Sequence, residues 1–339
     1  MCSPAIGGMT VLIRTSRRKF LSNAAALSAI ATASSLPLWA SSDGQSLGNA
    51  KSSPFRVAVI NDEIGQDFDR VCSIASHDFG LEWIELRGMW NKNVVNLDSK
   101  EIAEAQKILA KYKLRVTDIA SPLFKTDWPG APKSKFSPKS PQFGADFSFD
   151  QQDEVLDRCL ALAKAFNTDR VRCFDFWRLD DQAPHRAGIN AKLLESATKA
   201  GKQNVILLLE NEMTCNTATG AEAAKVLAAV QSPYFMLNWD PGNATAAGEK
   251  AYPDGYELLP KDRIGHCHCK DVVKMGKEEW AAMGRGVIDW VGQFKALKRD
   301  GYHFAVSLET HWRGAKTPEA STRQSWAGMK EELQEAGAL

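Results

Sequence analysis

The 339-residue chain lacks a surplus of charge of either sign: 42 Lys and Arg stand against 41 Asp and Glu, a formal net charge of +1. A nucleic-acid partner would call for a concentrated basic face, and the balance offers none. Long apolar runs are missing as well. The uncharged stretch that ends in Leu38-Trp39-Ala40 is too short and too rich in small residues for a membrane span of ~20 residues. No internal repeat is evident, and no second linker divides the chain into two domains. The first strand is not followed by a Gly-rich nucleotide turn, because Asn61-Asp62-Glu63-Ile64-Gly65 stands there. Gly284-x-Gly286 precedes a helix pattern rather than following a strand, which is a weak dinucleotide signal. Cysteine is sparse, with seven in all, and apart from Cys2 they are scattered through strand and helix patterns. Cys267 and Cys269 flank His268, and strand alternation turns both away from the face that carries the histidine. They read as buried apolar fillers rather than zinc thiolates.

At the N-terminus, Ser16-Arg17-Arg18-Lys19-Phe20-Leu21 leads into an Ala-rich stretch to Ala40. This resembles a twin-arginine export signal, with Met9 an alternative start. It implies transport by the twin-arginine export machinery and a periplasmic or otherwise exported location. The expected organisation is a leader over 1–40, a Ser/Gly/Lys-rich linker over 41–54 and one domain over 55–339. No Cys follows the cleavage region, so neither a lipid anchor nor another stable membrane anchor is expected. The domain length suits a single α/β barrel, which takes ~250 residues.

From Pro54 onward strands and helices alternate. Strands are expected at 54–60, 81–88, 114–122 and 169–177, then at 204–212, 234–243, 263–271 and 303–311. Helices are expected at 67–76, at 99–113 with Ser99 as its cap, at 146–167 and at 187–200. Further helices are expected at 219–231, 249–259, 287–300 and 317–336. The stretch 123–149 has no periodicity and reads as a long functional cover. Eight strands alternating with helices predict a (β/α)8 TIM barrel as a single domain.

The last four strands carry the chemistry. They read NVILLLENE, YFMLNWDPGN, RIGHCHCKD and HFAVSLETH, and end in Glu210, Asp240, His268 and Glu309. Three carboxylates and an imidazole are the donor set of a hard or borderline divalent cation, and Mn, Mg, Co or Zn would suit it. Period-two alternation puts Glu210 with Glu212, Asn238 with Asp240, His266 with His268 and Lys270, and Glu309 with His311, each set on one face. Converging inward carboxylates repel one another and are driven towards protonation unless a cation sits among them. Separate salt bridges would explain one such acid; four consecutive strands favour a shared ion.

These segments, in this order, together with MGRGVIDW (283–290) and GYHFAVSLET (301–310), resemble the xylose-isomerase-like barrel superfamily in its sugar isomerase/epimerase branch. The resemblance runs over roughly 55–335. It implies Glu210, Asp240, His268 and Glu309 as ligands of one divalent metal ion, with Glu210 and Glu309 doubling as catalytic acid and base. It also implies Glu212, His266 and Lys270 as substrate-facing residues, with Glu85, Arg87, Arg172 and Asn243 lining the same mouth. Trp312 and Arg313, just past Glu309, are further expected substrate contacts, and Trp128 and Trp280 could stack on a sugar. Two positions depart from the family. Glu212 and Asn243 stand where the family often has histidines, which weakens a related multi-zinc DNA-repair endonuclease reading.

The expected activity is therefore proton abstraction next to a carbonyl, with isomerisation or epimerisation of a small carbohydrate substrate. Export favours an unphosphorylated keto-sugar or glycoside. A lyase or hydrolase of keto-glycosides on the same scaffold, or a sugar-binding barrel without turnover, are the competing readings. No nucleic acid is expected as partner, and a homo-oligomer stays open.

Overall fold

The computed structural model describes residues 53–139 and 145–339. The expected leader and nearly all of the expected linker lie outside the described residues. Eight strands form the central sheet: β1 (Arg56–Val59), β2 (Trp83–Leu86), β3 (Arg115–Leu123), β4 (Arg170–Cys173), β5 (Ile206–Glu210), β6 (Phe235–Trp239), β7 (Ile264–Cys269) and β8 (Ala305–Leu308). Every neighbouring pair is parallel, in the order β1-β8-β7-β6-β5-β4-β3-β2. The two ends of that order meet where Ile60 bridges Glu85 in parallel, and the sheet closes into a (β/α)8 barrel.

Helices pack around the strands: α1 (Phe68–Ser73), α2 (Ser99–Tyr112), α3 (Gln152–Ala165), α4 (Arg186–Gly201), α5 (Gly220–Ala229), α6 (Pro241–Ala246), α7 (Trp290–Arg299) and α8 (Pro318–Glu335). The strands are short and buried on both faces, as in β5, where all of Ile206–Glu210 is buried. That is the expected condition of a parallel sheet covered outside by helices and filled inside by its own side chains. Leu209, Trp239, Cys267 and Leu308 belong to the hydrophobic core, and Trp239 reaches α7, donating from Nε1 to Gln293 at 3.1 Å. Cys267 and Cys269 are free, buried thiols, in keeping with the expected filler role.

Two local expectations are corrected. Asp98, not Ser99, caps α2: its carboxylate accepts from Lys100 N and Glu101 N while Glu101 returns to Asp98 N. The reciprocal capping box needs a side-chain acceptor three residues before the glutamate, and Asp98, not Ser99, stands at that spacing from Glu101. The helix expected at 249–259 is present in shortened form over 251–257. A separate short helix, α6, precedes it directly after β6, because Asp240 caps α6 by accepting from Asn243 N and Pro241 fits its first turn.

Past β3 the described part of 124–148 has no extended regular element. It is pinned by Trp128, whose ring meets Phe176 at 4.8 Å and Phe149 at 5.5 Å. Trp128 is thus a packing residue there. A second covering segment follows β7, where Asp271–Val272 pairs with Trp280–Ala281 in a small antiparallel hairpin. The Asp271 carboxylate holds that loop by accepting from Val272 N, Gly286 N and Ile288 N.

Candidate metal centre

The C-terminal ends of β5 to β8 bring Glu210, Asp240, His268 and Glu309 to one point. One donor atom from each lies within 4.8 Å of all the others. Nδ1 of His268 stands 3.5 Å from Glu210, 3.6 Å from Asp240 and 3.4 Å from Glu309. Two metal–oxygen bonds of about 2.1–2.4 Å span about 4.2–4.8 Å, so the ring has the size of a single divalent site. The four residues are essentially buried. Oε2 of Glu210 has no hydrogen-bond partner, although Nη1 of Arg172 lies 3.1 Å away. Donor type and spacing fit a cation.

Protein charges also surround the ring. Nζ of Lys270 stands 2.8 Å from Asp240 and 2.6 Å from Glu309. Gly242 makes that approach possible, since a Cβ there would stand 2.4 Å from the Lys270 side chain. Arg87 spans three acids, at 2.9 Å from Asp62, 2.6 Å from Glu63 and 2.8 Å from Glu309. Arg313 adds a second contact to Glu63 at 2.5 Å. A cluster of Glu63, Glu309 and His311 has metal-like spacing too, but these two guanidinium groups already neutralise it.

Burial by itself would push the Glu210 carboxyl up, yet the imidazole of His268 and the guanidinium of Arg172 outweigh it and hold the group at about 2. Glu309 lies well below the usual carboxylate range because Lys270, His311 and His268 override burial. His268 moves the other way. Burial opposes its charge, but Glu85, Glu210 and Glu309 lift the imidazole well above its ordinary value. In the mouth, Asp62, Glu63, Glu210, Glu212, Asp240 and Glu309 face Arg87, Lys125, Arg172, Lys270 and Arg313. The acids outnumber the Lys and Arg side chains by one.

Above the ring opens a cleft of about 500 Å³ lined by Arg87, Arg172, Glu210, Glu212, Glu309 and Arg313. It is also lined by residues the strand-end reading passed over, among them Asp62, Lys125 and Phe174. Asp62 and Glu63 follow β1 directly, so the same rule of acids at strand ends would have found them. Lys125 had no such signal. Its ammonium lies over the Phe174 ring at 4.6 Å and is paired only loosely with Glu212, at 3.4 Å. His311 also reaches the cleft, 3.2 Å from Glu309, with its backbone at φ 45° in the left-handed region. Such strain in a non-glycine residue is typical of functional positions.

Other predicted contacts lie elsewhere. Glu85 and His266 were expected at the substrate-facing mouth but are fully buried, with Glu85 bridging His266 at 3.1 Å and His268 at 3.0 Å. Asn243 is buried, its amide donating to Glu210, Asp240 and the Asn211 carbonyl. Lys270 is covered by Trp280, whose ring centre is 4.9 Å from Nζ and 5.0 Å from the His311 ring. Trp312 is not among the cleft residues and lies against Gly314. For Glu85 and His266 the reason is that parity gives the face of a strand, not the depth along it; Asn243 and Trp312 lie past the strand ends.

The xylose isomerase-like TIM barrel family matches residues 74–332. The chain belongs to this family. Within it, a protein of Escherichia coli (strain K12) named for L-ribulose-5-phosphate 3-epimerase activity is 25% identical over 193 residues, covering 55% of this chain and 67% of that protein. Among solved structures, a probable 3-DHS dehydratase of Bacillus anthracis superposes with a TM-score of 0.62 at 20% identity, covering 81% of this chain and 97% of the other. D-psicose 3-epimerase of Clostridium cellulolyticum H10, solved with D-tagatose, gives 0.60 at 14% identity over 83% of this chain and 98% of its own. At these identities the superpositions establish the fold alone.

Proposed function

We propose that this family member is a divalent-metal-dependent sugar isomerase or epimerase acting on an uncharged keto-sugar or glycoside. The convergence of Glu210, Asp240, His268 and Glu309 at the floor of the cleft carries the reading. A divalent ion held by these four side chains would act as a Lewis acid towards the carbonyl and adjacent hydroxyl oxygens of the substrate. Glu210 and Glu309, both facing the cleft, would take the proton from the carbon beside the carbonyl and return it. Their depressed pKa values keep both ionised and ready to accept it. Arg172 would hold Glu210 in place, and Lys270 and Arg87 would do the same for Glu309.

The lining supports a substrate without a phosphate group. Among the described cleft residues, Arg87, Lys125, Arg172 and Arg313 each already have a carboxylate partner. A phosphate group is recognised by cations free to donate to it, and these are committed. The lining therefore supports an unphosphorylated substrate, unlike the compound in the name of the Escherichia coli relative. Export by the twin-arginine route, proposed from residues 16–40, accords with that choice.

Metal analysis and solvent-deuterium exchange with keto-sugars and keto-glycosides test the proposal together. Bound metal with label in a product isomeric with the substrate supports isomerisation or epimerisation. Release of a smaller fragment would replace it with elimination, which begins with the same proton abstraction. Bound metal without exchange on any substrate would leave a binding protein, and a chain unable to bind Mn, Mg, Co or Zn would sink the metal site.

A further inference from the structure

From His268 of the ring a buried chain runs on through Glu85, His266 and Asp118, three residues that the proposed chemistry leaves unused, and all four have no exposed surface. Glu85 comes from β2 and reaches across the barrel to β7. Its Oε1 meets Nε2 of His268 at 3.0 Å, and its Oε2 meets Nε2 of His266 at 3.1 Å. Nδ1 of His266 stands 3.5 Å from Asp118. An ionised carboxylate has only lone pairs to offer, so both Nε2 atoms must be the donors.

The consequence falls on His268. With its proton on Nε2, a neutral imidazole keeps a bare lone pair at Nδ1, the atom 3.4–3.6 Å from Glu210, Asp240 and Glu309. The amide of Asn238 lies 3.1 Å from Nε2 and 3.3 Å from Nδ1, side by side with the ring. It cannot dictate the opposite tautomer, because a charge-assisted bond to the carboxylate is roughly twice as strong as a neutral one. We propose that Glu85 is a positioning residue that fixes the Nε2–H tautomer and the ring orientation of His268, so that Nδ1 is the nitrogen presented to the cation. The inference rests on the reading of the ring as a metal site. A carboxylate behind a ligating histidine raises ligand basicity as well as orienting it, and its loss costs about 10–100-fold in metal affinity. It also explains why an acid from the first half of the barrel is spent where no substrate can reach it.

The test is Mn²⁺ titration by calorimetry of the wild-type protein, Glu85→Gln and His268→Ala, with ¹⁵N spectra of the histidines in the Zn²⁺-loaded wild type. Glu85→Gln keeps the shape and removes the charge; the expected result is Mn²⁺ binding weakened about 10–100-fold. The expected spectrum shows His268 protonated at Nε2 with Nδ1 unprotonated, a signature that a merely structural contact would not require. The spectrum needs no variant, so the inference stays open to refutation even if Glu85→Gln fails to fold. Unchanged affinity in Glu85→Gln beside weakened binding in His268→Ala would overturn this role and leave the ring standing. Protonation at Nδ1 in the loaded protein would do the same. Absence of Mn²⁺ binding in the wild type would overturn both the ring and the role given to Glu85.

Discussion

The two halves of the barrel divide the work unequally. Strands β5 to β8 end in the four candidate donors, Glu210, Asp240, His268 and Glu309. Strands β1 to β4 and the turns after them supply Asp62, Glu63, Glu85, Arg87, Asp118, Lys125 and Arg172, most of which touch the donors or each other. Burial is the largest influence on Glu210 and Glu309 and acts against their charge; His268, Lys270 and His311 of the donor half reverse most of it, and Arg172 from the first half adds to the reversal at Glu210. Glu332, on the outer helix α8, shows the alternative: burial, joined by Asp271, pushes its carboxyl up to about 8, and Arg285 does not offset them. Burial is common to both places, and the neighbours decide the direction.

The largest effect should come from the donor half. Glu309→Gln removes a proton-handling carboxylate, and turnover on whichever keto-sugar shows solvent exchange should fall about 10²–10⁴-fold while circular dichroism stays unchanged. Retention of turnover would break the assignment of chemistry to that half. Next comes the compensating half. Arg87→Met leaves Glu63 and Glu309 each without one close partner, and breaking a buried ion cluster costs about 3–5 kcal/mol, readable by urea unfolding. A loss under about 1 kcal/mol would mean that β1 to β4 do not carry the electrostatic burden given to them.

Glu332 sharpens the comparison through pH. Its folded pKa of about 8 exceeds the ordinary 4.5, so between these values the folded state retains a proton that the unfolded chain has released. Stability should therefore fall as pH rises through that window and stay low above it. Glu332→Gln removes this term, so its thermal midpoint should gain on the wild type from pH 5 to pH 8 and be level with it near pH 4. A pH-independent difference would refute the uncompensated burial of Glu332. The smallest effect belongs to Lys125. Its loose, part-exposed pair with Glu212 should contribute no more than about 1 kcal/mol, so Lys125→Met should unfold almost as the wild type does while raising KM. An equal KM would remove this pair from substrate recognition.

Much of this was legible before any coordinates. The strand count gave the barrel, and the acids and histidine at four successive strand ends gave the ring. Cys267 and Cys269 read as outward fillers from the same alternation. The misses have physical causes. The α2 cap fell one residue earlier because Asp98 and Glu101 bond reciprocally, and α6 was missed because Asp240 and Pro241 start a short helix directly at the strand end. Glu85 and His266 share the inward face with the cleft residues, yet they sit deeper, and depth has no signature in a single strand. Lys125 escaped because a lysine past a strand end is ordinary until a carboxylate from another strand stands beside it.

The sequence by itself determined which side chains turn inward, because a strand alternates its faces every residue and each of these segments keeps that period whatever lies around it. Tertiary structure alone decided the partners. Glu85 meets His268 across 183 positions of chain, and Arg87 meets Glu309 across 222. Coulombic and hydrogen-bonding energies depend on distance through space, and only the closure of β1 against both β8 and β2 sets that distance.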